Sequence, residues 1–161
     1  MERFDLEAAS ENKVCMPDRE AAKEAESYLE QMLEDQDSVG GVVECVITGL
    51  PAGIGEPVFD KLDARLAHAE MSVGAVKGVE IGDGFEAAKA VGSVNNDDFC
   101  RNADGTIGKR TNHSGGILGG MSDGSPVVLR AAFKPTPSIS RPQQTVNRAG
   151  EEVETVIKGR H

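Results

Sequence analysis

Val42-Val43-Glu44-Cys45-Val46-Ile47-Thr48, running directly into Gly49-Leu50-Pro51-Ala52-Gly53-Ile54-Gly55-Glu56-Pro57, is the stretch on which the fold turns. The first seven residues are mostly β-branched and bounded by glycine, which predicts a strand. The next nine form a stiff, glycine-punctuated loop. Pro57 suits the first position of a helix that would carry Val58, Leu62, Leu66 and Ala69 on one stripe. Upstream, Asp18 can cap a helix in which Ala21, Ala22, Ala25, Tyr28, Leu29, Met32 and Leu33 recur at helical spacing. Glu20, Lys23, Glu24, Glu30 and Glu34 occupy its other face. Downstream, 72–81 reads as a turn and a strand, 85–91 as a short helix, and the polar 93–112 as a mobile loop. Val127–Phe133 and 153–157 read as further strands. Helices and strands in mixed order, without a βαβ rhythm, predict an α+β fold.

At 161 residues the chain can hide roughly 68–70% of its extended surface, so its length suits one domain, 1–161. No apolar run approaches the ~18 residues of a membrane span. The first ten residues lack the basic and apolar regions of a secretory signal. Cys15, Cys45 and Cys100 are too few and too scattered for a disulfide framework, which implies reduced thiols in a cytosol-like compartment. Cys45 falls in a strand and is expected in the core, whereas His68 is expected on a helix surface. The cysteines and His68, His113 and His161 show no metal-ligand spacing, so no metal is expected. Aromatic residues make up only 4%, which argues against a base-stacking nucleic-acid binder.

Net charge is −10, unevenly spread. Residues 1–37 carry a balance of −8, whereas Arg101 onward carries +4. Between Gly124 and Gly150 no acid occurs, while Arg130, Lys134, Arg141 and Arg148 do. Such a stretch suits an anionic ligand, or is a plain scatter of surface bases.

Gly120-Met121-Ser122-Asp123-Gly124 fits the G-x-S-x-G pattern, but a glycine-rich stretch precedes it and a strand follows, so it reads as a turn. Gly105-Thr106-Ile107-Gly108-Lys109-Arg110-Thr111 fails the P-loop pattern at Ala103 and Arg110. The segment 112–124 is dense in glycine, whose backbone can approach a flat ring or a phosphate where a Cβ would intrude. Beyond it, Lys134-Pro135-Thr136-Pro137-Ser138 places a cation and two hydroxyls on a proline-stiffened chain. These residues alone support either a phosphorylated-ligand site or a tight structural turn.

Longer blocks carry a resemblance. Gly49-Leu50-Pro51-Ala52-Gly53-Ile54-Gly55-Glu56-Pro57-Val58-Phe59-Asp60-Lys61-Leu62-Asp63-Ala64 resembles the chorismate synthase signature G-V-P-A-G-L-G-E-P-V-F-D-K-L-D-A. Met71-Ser72-Val73-Gly74-Ala75-Val76-Lys77-Gly78-Val79-Glu80-Ile81-Gly82-Asp83-Gly84-Phe85 is similar to M-S-I-N-A-V-K-G-V-E-I-G-D-G-F. Asn112-His113-Ser114-Gly115-Gly116-Ile117-Leu118-Gly119-Gly120 is similar to N-H-A-G-G-I-L-G-G. Lys134-Pro135-Thr136-Pro137-Ser138-Ile139 and Gly159-Arg160-His161 complete five blocks in the family's order.

The resemblance implies a shikimate-pathway lyase of aromatic amino acid biosynthesis. It would convert 5-enolpyruvylshikimate 3-phosphate to chorismate by 1,4-anti elimination of phosphate, with reduced FMN (FMNH2) and no net redox change. NADPH would enter as the flavin's reductant, through the enzyme or outside it. The implied fold is part of a β-α-β sandwich, antiparallel sheets enclosing helices, in a cytoplasmic homotetramer (plastidic in a plant-like source), with no nucleic acid or membrane partner.

Implied flavin contacts are Gly74, Ala75, Gly119, Lys134, Pro135, Thr136, Pro137, Ser138 and Arg160, with Arg160 also reaching the substrate. Gly74 stands where the family often has Asn, leaving only backbone contact there. His113 is expected to be structural. The family's S-H-G histidine motif, substrate-phosphate arginines, second catalytic histidine and R-S-S flavin segment have no counterpart here, so no catalytic residue is assigned. The expectation is therefore a C-terminal piece of a chorismate synthase, inactive alone; the alternative is a non-catalytic fragment that weakly binds flavin or phosphate, or serves in assembly.

Overall fold

The computed structural model describes residues 5–158. It divides into two compact units, 41–134 and a second built from the segments 5–40 and 135–158.

The first unit is organised by a three-stranded antiparallel sheet. Its strands are β1 (Gly41–Ile47), β2 (Val76–Ile81) and β7 (Val127–Phe133), with β7 in the centre between β1 and β2. The central strand alternates, with Val127, Leu129 and Ala131 buried on one face, the period of two expected of a half-covered sheet. Ile117 joins Val127 and Leu129 in the core, packed by Ile47, Leu50, Leu62, Leu66 and Ile81.

Helix α3, Leu62–Met71, runs beside β2. It begins five residues after Pro57, which was expected to open it. Glu56 and Asp60 exchange backbone hydrogen bonds at 2.9 and 3.0 Å, closing a loop that the helix cannot enter. Val58, expected on the helix stripe, is consequently 73% exposed.

Between β2 and β7 the chain forms a 3-10 turn, Gly84–Lys89, and a short α4, Gly92–Asn95. Two hairpins follow: β3 Phe99–Arg101 with β4 Ile107–Lys109, and β5 Ile117–Leu118 with β6 Met121–Ser122. The expected mobile loop is thus a hairpin with an anchored base. Cys45 is exposed, not core, because β1 is an edge strand paired only with β7.

In the second unit, α1 (Leu6–Ala9) is followed by α2 (Arg19–Glu34). Asp18 caps α2 as expected, its Oδ1 accepting from the N–H groups of Glu20 and Ala21 at 2.9 and 3.0 Å. Of the apolar stripe only Ala22 is buried, while Tyr28, Leu29 and Leu33 are exposed. Helix α2 ends in a Schellman motif. Gln36 takes the left-handed conformation, the Asp37 N–H reaches the Met32 carbonyl at 2.9 Å and the Gln36 N–H reaches Leu33 at 3.1 Å. Strands β8, Gln143–Val146, and β9, Glu152–Thr155, form a further antiparallel hairpin.

Candidate functional site

The glycine-rich segment is built around one buried ammonium group. Lys109 Nζ lies 2.6 Å from Asp123 Oδ2, 2.9 Å from Ser114 Oγ and 3.3 Å from Asp97 Oδ2. The three charged side chains are 3%, 8% and 2% exposed respectively. Asp97 also accepts from Thr111 Oγ1, the His113 N–H, and both the N–H and the hydroxyl of Ser114. Burial pushes the Asp97 carboxyl up, but the donors from Ser114, Thr111 and His113 outweigh it and hold the group below the usual carboxylate range. Asp123 follows the same logic: burial raises it, and the bonds from Lys109 and Ser125 bring it below the ordinary value.

These bonds fix 112–116 as a rigid entry to the β5–β6 hairpin. Asn112 tightens it further, Oδ1 accepting from the Gly116 N–H at 2.8 Å and Nδ2 donating to the Pro126 carbonyl at 2.8 Å. His113 Nδ1 lies 2.6 Å from Asp83 Oδ2, and the Asp83 N–H donates to the His113 carbonyl. Every polar group of the His113 backbone is thus engaged within the fold.

The glycines separate into two kinds. A Cβ on Gly82 would strike the His113 carbonyl and the Gly115 nitrogen, one on Gly116 would meet the Pro126 carbonyl, and one on Gly120 would meet the Lys61 side chain. These glycines let the chain approach itself. Gly74 and Gly119 have no atom within 4 Å of such a Cβ, and both are exposed. Their open backbone faces can admit something outside the chain.

Ala75 is the other local anomaly. It holds φ at 71°, a left-handed conformation that costs a non-glycine residue about 1–2 kcal/mol. Its carbonyl accepts from the Lys134 N–H at 2.9 Å, and the register Val76↔Phe133 sets these two residues side by side where β2 starts and β7 ends. Gly74, Ala75 and Lys134 therefore meet at one corner of the sheet. Gly119 does not join them: the Gly120 carbonyl accepts from the Leu62 N–H at the start of α3, whereas Gly74 follows the end of that helix, about 15 Å along its axis.

In the second unit, Pro135, Thr136, Pro137 and Ser138 form an irregular segment outside any helix or strand, with a bend at Pro137. Arg160 and His161 lie outside the described residues.

The acid-free stretch is not free of acids in space. Arg130 pairs with Glu80 at 3.1 Å in the first unit, and Arg141 pairs with Asp37 at 2.9 Å in the second. Ser122 of the G-x-S-x-G match is 4% exposed, donating to the Pro51 carbonyl and accepting from the Ile54 N–H. It is a structural hydroxyl in a hairpin, as the turn reading expects. Among the described residues, no acid, histidine or cysteine group could hold a metal ion, and no helix is long and apolar enough to cross a membrane.

Sequence reasoning missed Lys109, Asp97 and Asp123. The available signal was a lysine and two aspartates flanking the glycine block, but only the hairpin fold brings them together.

A family model described as chorismate synthase matches residues 2–161. A chorismate synthase of Lachnoclostridium phytofermentans is 64% identical over 92% of this chain and 40% of its own length. One from Agathobacter rectalis is 60% identical over 98% of this chain and 43% of its own length. A crystal structure of chorismate synthase superposes with a TM-score of 0.78 at 36% identity, covering 84% of this chain and 41% of the other. The chain spans about two fifths of the length of the curated relatives it matches. The α+β expectation holds.

Proposed function

The chain belongs to the chorismate synthase family, and from that premise we propose that it supplies the flavin-binding residues for conversion of 5-enolpyruvylshikimate 3-phosphate to chorismate. The observation that carries this reading is 64% identity over nearly the whole chain to an enzyme of that name. The reaction is a 1,4-anti elimination of phosphate, a lyase step of the shikimate pathway in the cytoplasm, within a homotetramer whose fold includes these 161 residues as one partial domain.

Reduced FMN, when bound, supplies electron density to the allylic system as phosphate leaves and assists removal of the C6 proton. The residues present fit such a group. Gly74, at the corner it shares with Ala75 and Lys134, leaves open backbone that a ring could approach. Gly119, at the other end of α3, enters only by its match to the family motif. The Thr136 and Ser138 hydroxyls make no hydrogen bond within the described residues. In the first unit Lys134 would supply positive charge, and in the second the Thr136 and Ser138 hydroxyls would supply donors to a phosphate. The family motif that runs through all three is what assigns them to the flavin. The left-handed Ala75, held by the Lys134 N–H, fixes where that lysine leaves the sheet. Arg160 enters by its match to the family motif. No residue in this chain is assigned to proton transfer, so the 161 residues alone bind flavin without turnover.

The test replaces the matching segment of the Lachnoclostridium phytofermentans enzyme with these 161 residues and assays chorismate formation anaerobically with reduced FMN. The expected result is activity within about tenfold of the parent. Lys134→Ala in that chimera raises the FMN requirement by on the order of tenfold or more, the loss of one charge-assisted contact. A folded chimera that binds substrate but forms no chorismate would refute the reading.

A further inference from the structure

Two carbonyls of the proline-stiffened segment, those of Thr136 and Pro137, are each tied from outside it. The Ser38 hydroxyl donates to the Thr136 carbonyl at 2.6 Å across 98 positions of sequence, and Gln143 Nε2 donates to the Pro137 carbonyl at 3.0 Å. Proline removes donors the segment would need to form a ladder, and these two bonds hold the Thr136 and Pro137 carbonyls instead. The Thr136 and Ser138 hydroxyls remain uncommitted within the described residues. Both residues line a cavity of about 280 Å³ together with Ser38, Ser140, Leu33 and Asp37.

Ser38 is itself rigidly delivered. The Schellman motif ends α2 with Asp37 bonded back to Met32. Asp37 Oδ1 then accepts the Ser38 N–H at 2.8 Å. The Asp37 carboxylate would repel an anion in this cavity, but Arg141 Nη1 sits 2.9 Å from its Oδ2 and offsets that charge. The Ser38 N–H first, and Arg141 second, hold the Asp37 carboxyl below its ordinary value.

We propose that Ser38 is a positioning residue for phosphate recognition: by fixing the Thr136 carbonyl it turns the Thr136 and Ser138 hydroxyls towards the phosphate of the flavin. This deepens the flavin-binding reading and rests on it. The Ser38 hydroxyl is committed to the Thr136 carbonyl, so its effect passes through the backbone of Thr136. Affinity for the phosphate should therefore depend on the Ser38 hydroxyl, and affinity for the flavin ring should not.

The experiment compares FMN with riboflavin, which has the same ring and no phosphate, by fluorescence titration of the 161-residue chain. Ser38→Ala, Ser38→Thr and the unsubstituted chain are measured together, with circular dichroism as the check on folding. Ser38→Ala should lose on the order of tenfold in FMN affinity, the value of one hydrogen bond, with riboflavin affinity unchanged. Ser38→Thr, which keeps the hydroxyl, should restore the preference. Equal weakening of FMN and riboflavin in Ser38→Ala would show a merely structural role and overturn the inference. An unchanged FMN-to-riboflavin ratio would also overturn it, with the flavin reading intact. If the unsubstituted chain shows no preference for FMN, the flavin-phosphate reading falls and the inference with it.

Discussion

Lys109→Met is expected to destabilise the first unit by about 3–5 kcal/mol, the cost of breaking a buried ion pair from one side. The ammonium is 3% exposed and stands between two carboxylates that are themselves almost fully buried. Methionine fills much the same volume, so the loss is electrostatic: Asp123 is left with its Ser125 donor and Asp97 with the Ser114, Thr111 and His113 donors.

The pH dependence has a definite sign. Both carboxyls sit below their ordinary values when folded, so their contribution is complete above the unfolded carboxylate range near pH 4. It is lost as pH falls through the folded values. Removing Lys109 raises the folded value of Asp123 towards the ordinary one, so acid should weaken the variant less than the parent. Urea denaturation at pH 7 and pH 3 measures both effects. A loss below about 1 kcal/mol at pH 7, within the range of an exposed pair, would contradict the burial on which the argument stands.

Gly82→Ala should be comparably damaging, for a steric reason. Gly82 holds φ at 58°, and the added Cβ would sit 2.5 Å from the Gly115 nitrogen and 2.7 Å from the Ser114 carbonyl carbon. Neither neighbour is a flexible side-chain tip, so the backbone itself must move. A left-handed alanine costs about 1–2 kcal/mol, and overpacking adds about 1–3 kcal/mol more. Gly119→Ala is the control. It shares a positive φ of 59° but meets nothing within 4 Å, so only the conformational cost of about 1–2 kcal/mol applies. Thermal denaturation of the two variants separates them. Equal losses would mean that the Gly82–Gly115 approach is not tight.

These two glycines also show what the sequence could and could not reveal. Glycine density announced close approaches, but only the fold distinguishes Gly82 and Gly116, which face other backbone, from Gly74 and Gly119, which face open space. Local signals read well where local physics decides: the Asp18 cap, the β-branched run of β1 and the strand Val127–Phe133 are all in place. They failed where distant residues decide. The start of α3 was set by the Glu56–Asp60 closure and by the Gly120 carbonyl waiting for Leu62, neither visible in helical periodicity. The polar 93–112 stretch, with Asn95-Asn96-Asp97-Asp98 and Asp104-Gly105, reads as a mobile loop because polar and turn-forming residues dominate it. In space, Asp97 collects donors from the glycine block and Lys109 reaches Asp123 across another hairpin.

The basic stretch misled in the opposite direction. Without acids nearby in sequence, Arg130 and Arg141 looked available to a ligand, yet Glu80 and Asp37 reach them through strand register and helix termination. The candidate flavin contacts became legible through motif resemblance. Geometry then added the left-handed Ala75, its bond from Lys134, and the outside supports of Thr136 and Pro137.

The central claim is that this chain holds the phosphate of a flavin as well as its ring. Its most direct test is an equilibrium titration of the unsubstituted 161-residue chain with FMN and, separately, with riboflavin. The account predicts saturable binding of both, with FMN at least about tenfold tighter through charge-assisted contacts to its phosphate. Equal affinities for the two flavins, or no binding of either, would contradict it.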